Sequence, residues 1–264
     1  MLKNDSIFLF IFNLILLCVY LANFWDIPLE ITHWHSDEET GVGFKNDLTI
    51  YLRRSAIIAG MLDFLFAFNI PYYSKGVFVR NRILIIKHYF RNSFFLDLFV
   101  SGPILLQRTD TSQSSILNFS FFFLFFKIKR IVAQIEDHFQ FQDKNQAVFN
   151  LLKLLTQILT MAHFFACFWN YIAYWQVNEM KITDTWMHKL EIVDQSWEIK
   201  YINSLYYSIV TMVTVGYGDI SPNNNIEKAF SVLIIIIACG FFAYALNSVG
   251  LILKEMNRVE DQFK

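Results

Sequence analysis

Nine residues, Thr211-Met212-Val213-Thr214-Val215-Gly216-Tyr217-Gly218-Asp219, constrain this chain more than any other stretch. They stand between a short apolar segment, about Ile202 to Val213, and a long one, about Ile226 to Leu253. A backbone that leaves its helix in apolar surroundings must satisfy its own polar groups or line water. Gly216 and Gly218 can take positive φ, so successive carbonyls can face one way instead of alternating as in an ordinary strand. A row of carbonyls along a watery path can replace the hydration shell of a cation. The plain alternative is a glycine-rich turn after an apolar helix.

Composition narrows the setting. The 264 residues are 55% hydrophobic with a formal net charge of -1, and the mean hydropathy is +0.37. A soluble domain of this length rarely runs so apolar. Near-neutral charge offers nothing to nucleic acid. The apolar residues gather in runs able to cross ~30 Å of hydrocarbon, which takes roughly 20 residues each. Cys18, Cys167 and Cys239 lie inside such runs and read as buried thiols, not as a disulfide framework or zinc site. No nucleophile–base–orienter set is evident, and the G-Y-G-D stretch leads to Pro222 and not to a helix start, so the chain does not read as an enzyme.

Six spans are expected. The first runs from about Ser6 to Phe24, as a retained anchor, and an acidic loop with His33-Trp34-His35 follows as a solvated segment. The second runs from about Leu48 to Tyr72. The connector after it carries Lys75, Arg80, Arg82, Lys87 and Arg91 and no acid, which marks the cytoplasmic side and puts both termini there. The third runs from about Tyr89 to Leu106, the fourth follows Ile116, the fifth runs from about Ala147 to Tyr174, and the last from Ile226 to Leu253. The segment Ile202 to Val213 is too short to cross and must dip in and return, its C-terminal partial negative charge favouring a cation.

The filter-like stretch resembles the selectivity filter of tetrameric potassium channels. The opening of the third span, Lys87 to Asp97, and the run Ala162-His163-Phe164-Phe165-Ala166-Cys167-Phe168-Trp169 resemble ether-à-go-go-type and cyclic-nucleotide-regulated channels. So do Asp184-Thr185-Trp186, Asp194-Gln195-Ser196-Trp197 and Ala238 to Asn247. The resemblance implies K+ bound by the carbonyls of Thr214, Val215, Gly216 and Tyr217 and by the Thr214 hydroxyl, with Gly218 completing the turn. It implies that Asp219 is tied to an aromatic residue on the preceding helix, taken as Tyr207, and that Gly240 is a hinge; close helix packing is the equal alternative for that glycine. Thr214 and Asp219 set the chain apart from the weakly selective, hyperpolarisation-activated relatives.

The fourth span departs from that family. A voltage-sensing helix places a base at every third position, whereas Ile116 to Phe126 is uncharged and only Lys127, Lys129 and Arg130 follow. Three or four charges in each of four subunits supply roughly 28–37 kcal/mol per 100 mV; one charge per subunit supplies about 9. Weak or absent voltage sensing is expected, with the bases snorkelling to the interface. Asp63 and Asp97 either pair with these bases or brace the bundle through Arg54 or Arg91.

The expected fold is an all-α membrane protein of six transmembrane helices with a re-entrant pore helix and filter loop. Residues 1–137 form a voltage-sensor-like domain, 138–254 a pore domain and 255–264 the start of a cytoplasmic linker, without the nucleotide-binding domain that such relatives carry. The expected function is passive potassium conduction by a homo- or heterotetramer in a lipid bilayer, with the plasma membrane as default location, no cofactor beyond permeant K+ and no nucleic-acid partner. A non-conducting modulatory subunit that co-assembles with complete channels is the alternative.

Overall fold

A computed structural model describes residues 7–33, 47–69, 72–74, 77–79, 81–106, 115–138 and 143–262. The elements in order are α1 (Ile7–His33), α2 (Asp47–Ala67), β1 (Tyr72–Ser74), β2 (Val77–Val79), α3 (Arg82–Asn92), α4 (Phe94–Leu106), α5 (Ser115–His138), α6 (Asp143–Asn178), α7 (Trp186–Lys189), α8 (Trp197–Met212) and α9 (Asn225–Gln262). Among the described residues the protein is helical apart from one antiparallel hairpin, in which Tyr73 pairs with Phe78. The expected helical architecture is borne out, and the hairpin is a local addition to it: Tyr73, Val77, Phe78 and Val79 are strand-favouring residues in a segment read as a bare connector.

Among the described residues, three helices are long and apolar enough to cross a membrane: Ile7–Leu29, Ala147–Asn178 and Asn225–Lys254. The described residues fall into two compact units, one of residues 7–27 and 47–138, with most of α1 and all of α2 to α5, and the other of residues 28–33 and 143–262, with α6 to α9.

In the first unit, α1 buries Leu9, Asn13, Leu16, Tyr20, Asn23 and Ile27. Those positions recur every three or four residues, the stripe of a helix packed on one side. Asn23 on this stripe donates to the Leu52 carbonyl of α2 at 3.2 Å. The helix also continues past the expected boundary at Phe24. Asp26 is buried and Pro28 sits inside the helix, where the sequence suggested the start of an acidic loop. The expected third span is divided, because α3 ends at Ser93, whose N–H reaches the Tyr89 carbonyl at 2.9 Å, and α4 begins at Phe94. The pair His33 and His35 lies outside the residues whose side chains are described.

In the second unit, α6 supplies Ala162, Ala166 and Ala173, all fully buried, and their small size lets α8 and α9 approach its backbone. Trp169 then fills the centre. Its ring stacks on Tyr207 at 4.3 Å, Trp186 at 5.7 Å and Phe230 at 6.4 Å, so one indole touches α8, α7 and α9. Offset or edge-on aromatic contacts of this kind add roughly 0.5–1.5 kcal/mol each beyond area burial.

Candidate functional site

The site is the loop that leaves α8. Its 16 residues extend ~24 Å at 1.5 Å per residue, less than a hydrocarbon core. The buried face of α8 is Lys200, Ser204, Tyr207, Ser208 and Met212, and polar residues there need partners. Ser204 donates to the Lys200 carbonyl and Ser208 to the Ser204 carbonyl, each at 2.8 Å. These bonds one turn back let small hydroxyls occupy a tight interface. Tyr207 meets Ser231 of α9 at 2.9 Å, and His163 of α6 meets the Tyr201 hydroxyl at 2.8 Å. The helix is thus tied on two sides before its chain turns.

At the turn the backbone changes character. Val213 still bonds back to the Ile209 carbonyl at 2.9 Å. Then φ is +60° at Thr214, +62° at Gly216 and +77° at Gly218, with no positive value at Val215 or Tyr217. Left-handed backbone at every second residue undoes the alternation of an ordinary strand and turns successive carbonyls to one side. Thr214 has a Cβ and holds this conformation at a cost of roughly 1–2 kcal/mol, strain of the kind kept at functional sites. The N–H groups of Val215 and Gly216 both reach the Val210 carbonyl, at 3.0 and 3.3 Å. These two donors are therefore committed to the end of α8. A Cβ at Gly216 or Gly218 would meet nothing within 4 Å, so their need is conformational, not spatial.

The aspartate after the loop corrects one assignment. Asp219 accepts from the Tyr206 hydroxyl at 2.7 Å, thirteen residues earlier, and not from Tyr207. Tyr207 faces another side of the helix, buried against Trp169 and Ser231. Adjacent residues on a helix point about 100° apart, so only one of the two can reach the mouth. The hydrogen bond from Tyr206 holds the Asp219 carboxyl below its ordinary value of 3.8, and the same bond raises the Tyr206 phenol above 10.0.

A second frame, absent from the sequence reading, holds the far side of the loop. Glu227, fully buried at the start of α9, accepts from the Trp186 N–H at 3.1 Å and from the Asn223 N–H at 2.8 Å. Asn224 caps α9 through bonds from Ile226 and Glu227, both 3.0 Å, and donates to Gln176 and to the Asp184 carbonyl. Asn223 donates to the Asp184 carboxylate. The signal available in sequence was Asn224 three residues before Glu227, an N-cap followed by an acid in the first turn.

Gly240 lies within α9, and a Cβ there would also meet nothing within 4 Å. Close packing inside this chain therefore does not explain it.

The other predicted residues gather in the first unit. Lys127 of α5 pairs with both Asp63 of α2 and Asp97 of α4, and Arg130 lies 3.1 Å from Asp97 and 3.5 Å from Asp63. Tyr89 of α3 donates to Asp97 at 2.8 Å, and the Lys127 ammonium stands 5.8 Å from the Tyr20 ring. Snorkelling is overturned for Lys127, which is 1% exposed. It shares the buried face of Leu124, Ile131 and Ile135, so it points inward with them. Lys127 and Arg130, three apart, form the one interval of a charge stripe, while Lys129 is exposed. Arg54 and Arg91 are exposed too, and the two acids brace against α5 instead. No group of three or more metal-ligating side chains occurs among the described residues.

Residues 153–255 match the ion channel family. The chain is 29% identical over 195 residues to Potassium channel AKT1 of Arabidopsis thaliana, covering 71% of this chain and 22% of that protein. It is 26% identical over 251 residues to Potassium channel KAT4 of Oryza sativa subsp. japonica, covering 92% and 40%. It is 24% identical over 180 residues to Voltage-gated inwardly rectifying potassium channel KCNH2 of Oryctolagus cuniculus, covering 64% and 15%. The chain thus spans less than half the length of these curated relatives.

Proposed function

From an ion channel domain at residues 153–255 and relatives that are potassium channels and not enzymes, we infer that this chain is a potassium-selective channel subunit. It conducts K+ passively as part of a tetramer in a lipid bilayer. One observation carries this reading: left-handed backbone at Thr214, Gly216 and Gly218, with the N–H groups of Val215 and Gly216 bound to Val210. With the donors held behind, the carbonyls of Thr214, Val215, Gly216 and Tyr217, and the Thr214 hydroxyl, are available to dehydrated K+ as substrate. One strand offers one quarter of a ring, so four subunits, identical or mixed, are needed.

In this reading α8 is re-entrant, six segments cross, both termini face the cytoplasm, and the plasma membrane is the expected location. Residues 138–254 form the pore, 1–137 a sensor-like domain and 255–264 the start of a linker, with Gly240 as a bend in the inner helix. Tyr206 and Asp219 hold the outer end of the filter strand.

Voltage sensing is weak or absent. Moving one charge through the field releases roughly 2.3 kcal/mol per 100 mV, whereas separating a buried pair costs about 3–5 kcal/mol. Arg130 could succeed Lys127 between the two acids, but that exchange allows one step only. Four such steps yield roughly 9 kcal/mol per 100 mV.

The test is a planar-bilayer recording of the purified chain in mixed K+ and Na+ over a voltage range. Potassium permeating far better than sodium, with open probability shallow in voltage, is the expected outcome. Equal permeabilities overturn selectivity, a steep voltage dependence overturns the weak sensor, and current only on mixing with other subunits makes this a modulatory chain.

A further inference from the structure

We propose that α3 is a binding site for anionic phospholipid headgroups, presented to the membrane face on which the connector between α2 and α4 lies. Between Asp63 and Asp97 the sequence has five bases and no acid. Three of these bases, Arg82, Lys87 and Arg91, lie on α3 and are exposed. None of them is in an ion pair among the described residues, whereas Lys127 and Arg130 are both committed to acids.

The geometry of the helix sorts its residues into three strips. Ile85 and Tyr89, one turn apart, are buried and fix α3 to its own unit. Ile83, Ile86 and Phe90, spaced at three and four, are 75%, 39% and 45% exposed. Lys87 and Arg91, four apart, form the adjoining strip. An apolar strip beside a basic one suits the boundary of a bilayer, where the first sinks among acyl chains and the second meets phosphate. Eleven residues reach ~16 Å, too little to cross. Charge complementarity selects the occupant: a strip with two unpaired bases, Lys87 and Arg91, and no acid favours an anionic over a zwitterionic headgroup, about fivefold per base.

The lipid contact has a route inward. Tyr89 on the buried strip donates to Asp97, which pairs with Lys127 and Arg130. The inference does not depend on conduction, so its test is binding alone.

The full chain in detergent micelles is titrated with phosphatidylserine or phosphatidylcholine, and bound lipid is counted by native mass spectrometry. Phosphatidylserine is expected to bind more tightly, and Lys87→Ala/Arg91→Ala to weaken it about 25-fold, near fivefold per base, without changing phosphatidylcholine. Should the alanine pair lose helix content, Lys87→Gln/Arg91→Gln is read in its place, with the same expectation. Equal binding of the two lipids, or no change in the variant, overturns the proposal. Displacement of the lipid by millimolar inorganic phosphate would make this a free-anion site, and an oligomeric state that changes in the variant would make it a contact between copies; either outcome also overturns it.

Discussion

Two regions of this molecule hold aspartate against a partner, and they do so by opposite physics. Asp219 is exposed at the end of a strained backbone turn and takes one hydrogen bond from Tyr206. Asp63 and Asp97 are largely enclosed and share two bases from a helix far along the chain. In the function proposed for it, the first region works through main-chain carbonyls, and side chains only hold the shape. In the second the side-chain charges are themselves the device. A backbone site is written locally, by glycines at fixed offsets, whereas an ion-pair site is written in the packing of several helices.

The largest expected effect separates the two outright. Gly218→Ala forces a Cβ onto φ +77° with open space around it, so the loss is conformational, roughly 1–2 kcal/mol. That is small for stability but should abolish potassium current, because the carbonyl can no longer turn inward. The protein should stay folded and oligomeric on size-exclusion chromatography. Current that survives in Gly218→Ala would remove the ground for treating the backbone as the working part.

In the other region the order reverses, with stability lost before conduction. Lys127→Met leaves two enclosed carboxylates sharing Arg130 alone. Unpairing a buried charge of this kind costs about 3–5 kcal/mol, read as a drop in the midpoint of thermal unfolding in micelles. Adding Asp63→Leu should recover part of that loss. No recovery would mean that Lys127 acts through packing of its stem and not through its charge.

A third test reaches the frame behind the filter strand. Glu227→Ala removes the acceptor for two buried N–H groups, those of Trp186 and Asn223. Hydrogen bonds to a charged group contribute about 1.5–3 kcal/mol, and the loss should appear in unfolding and as faster rundown of current. Glu227→Gln keeps one acceptor oxygen and should fall between the two. A neutral Glu227→Ala would confine the mouth's support to Tyr206 and the Trp169 stack.

What sequence could reveal follows the same division. The filter stretch was legible because two glycines two positions apart, Gly216 and Gly218, can be read without knowing the fold. The long helices were legible by hydropathy, though α1 outran its expected end and buries Asp26. The choice of Tyr207 over Tyr206 failed because neighbouring tyrosines differ only in helical phase, which α6 decides by placing Trp169 against one of them. Lys127 was taken to snorkel outward, while pairing of Asp63 and Asp97 with the bases of this helix stood as one of two open readings; the packing of α2, α4 and α5 decides for the pairing. Glu227 and Asn224 went unnoticed because their partners, Trp186, Asp184 and Gln176, are some forty residues away.

The smallest effect sharpens the comparison most, because it turns on one phenol. Tyr206 holds the Asp219 carboxyl below 3.8 chiefly through its hydrogen bond. A carboxyl depressed in the folded state contributes fully above its unfolded value and loses that contribution as pH falls through the folded one. The mouth should therefore be indifferent to pH from neutrality down to about 3.8 and weaken only below that. Tyr206→Phe should move the Asp219 titration upward, toward the ordinary value, so that acid sensitivity begins earlier. Tyr207→Phe should leave the titration unchanged and loosen the contact with Ser231. Carbon-13 NMR of the labelled Asp219 carboxyl in both variants decides it: a shift in Tyr207→Phe and none in Tyr206→Phe would return the aspartate to the neighbour that the sequence first suggested.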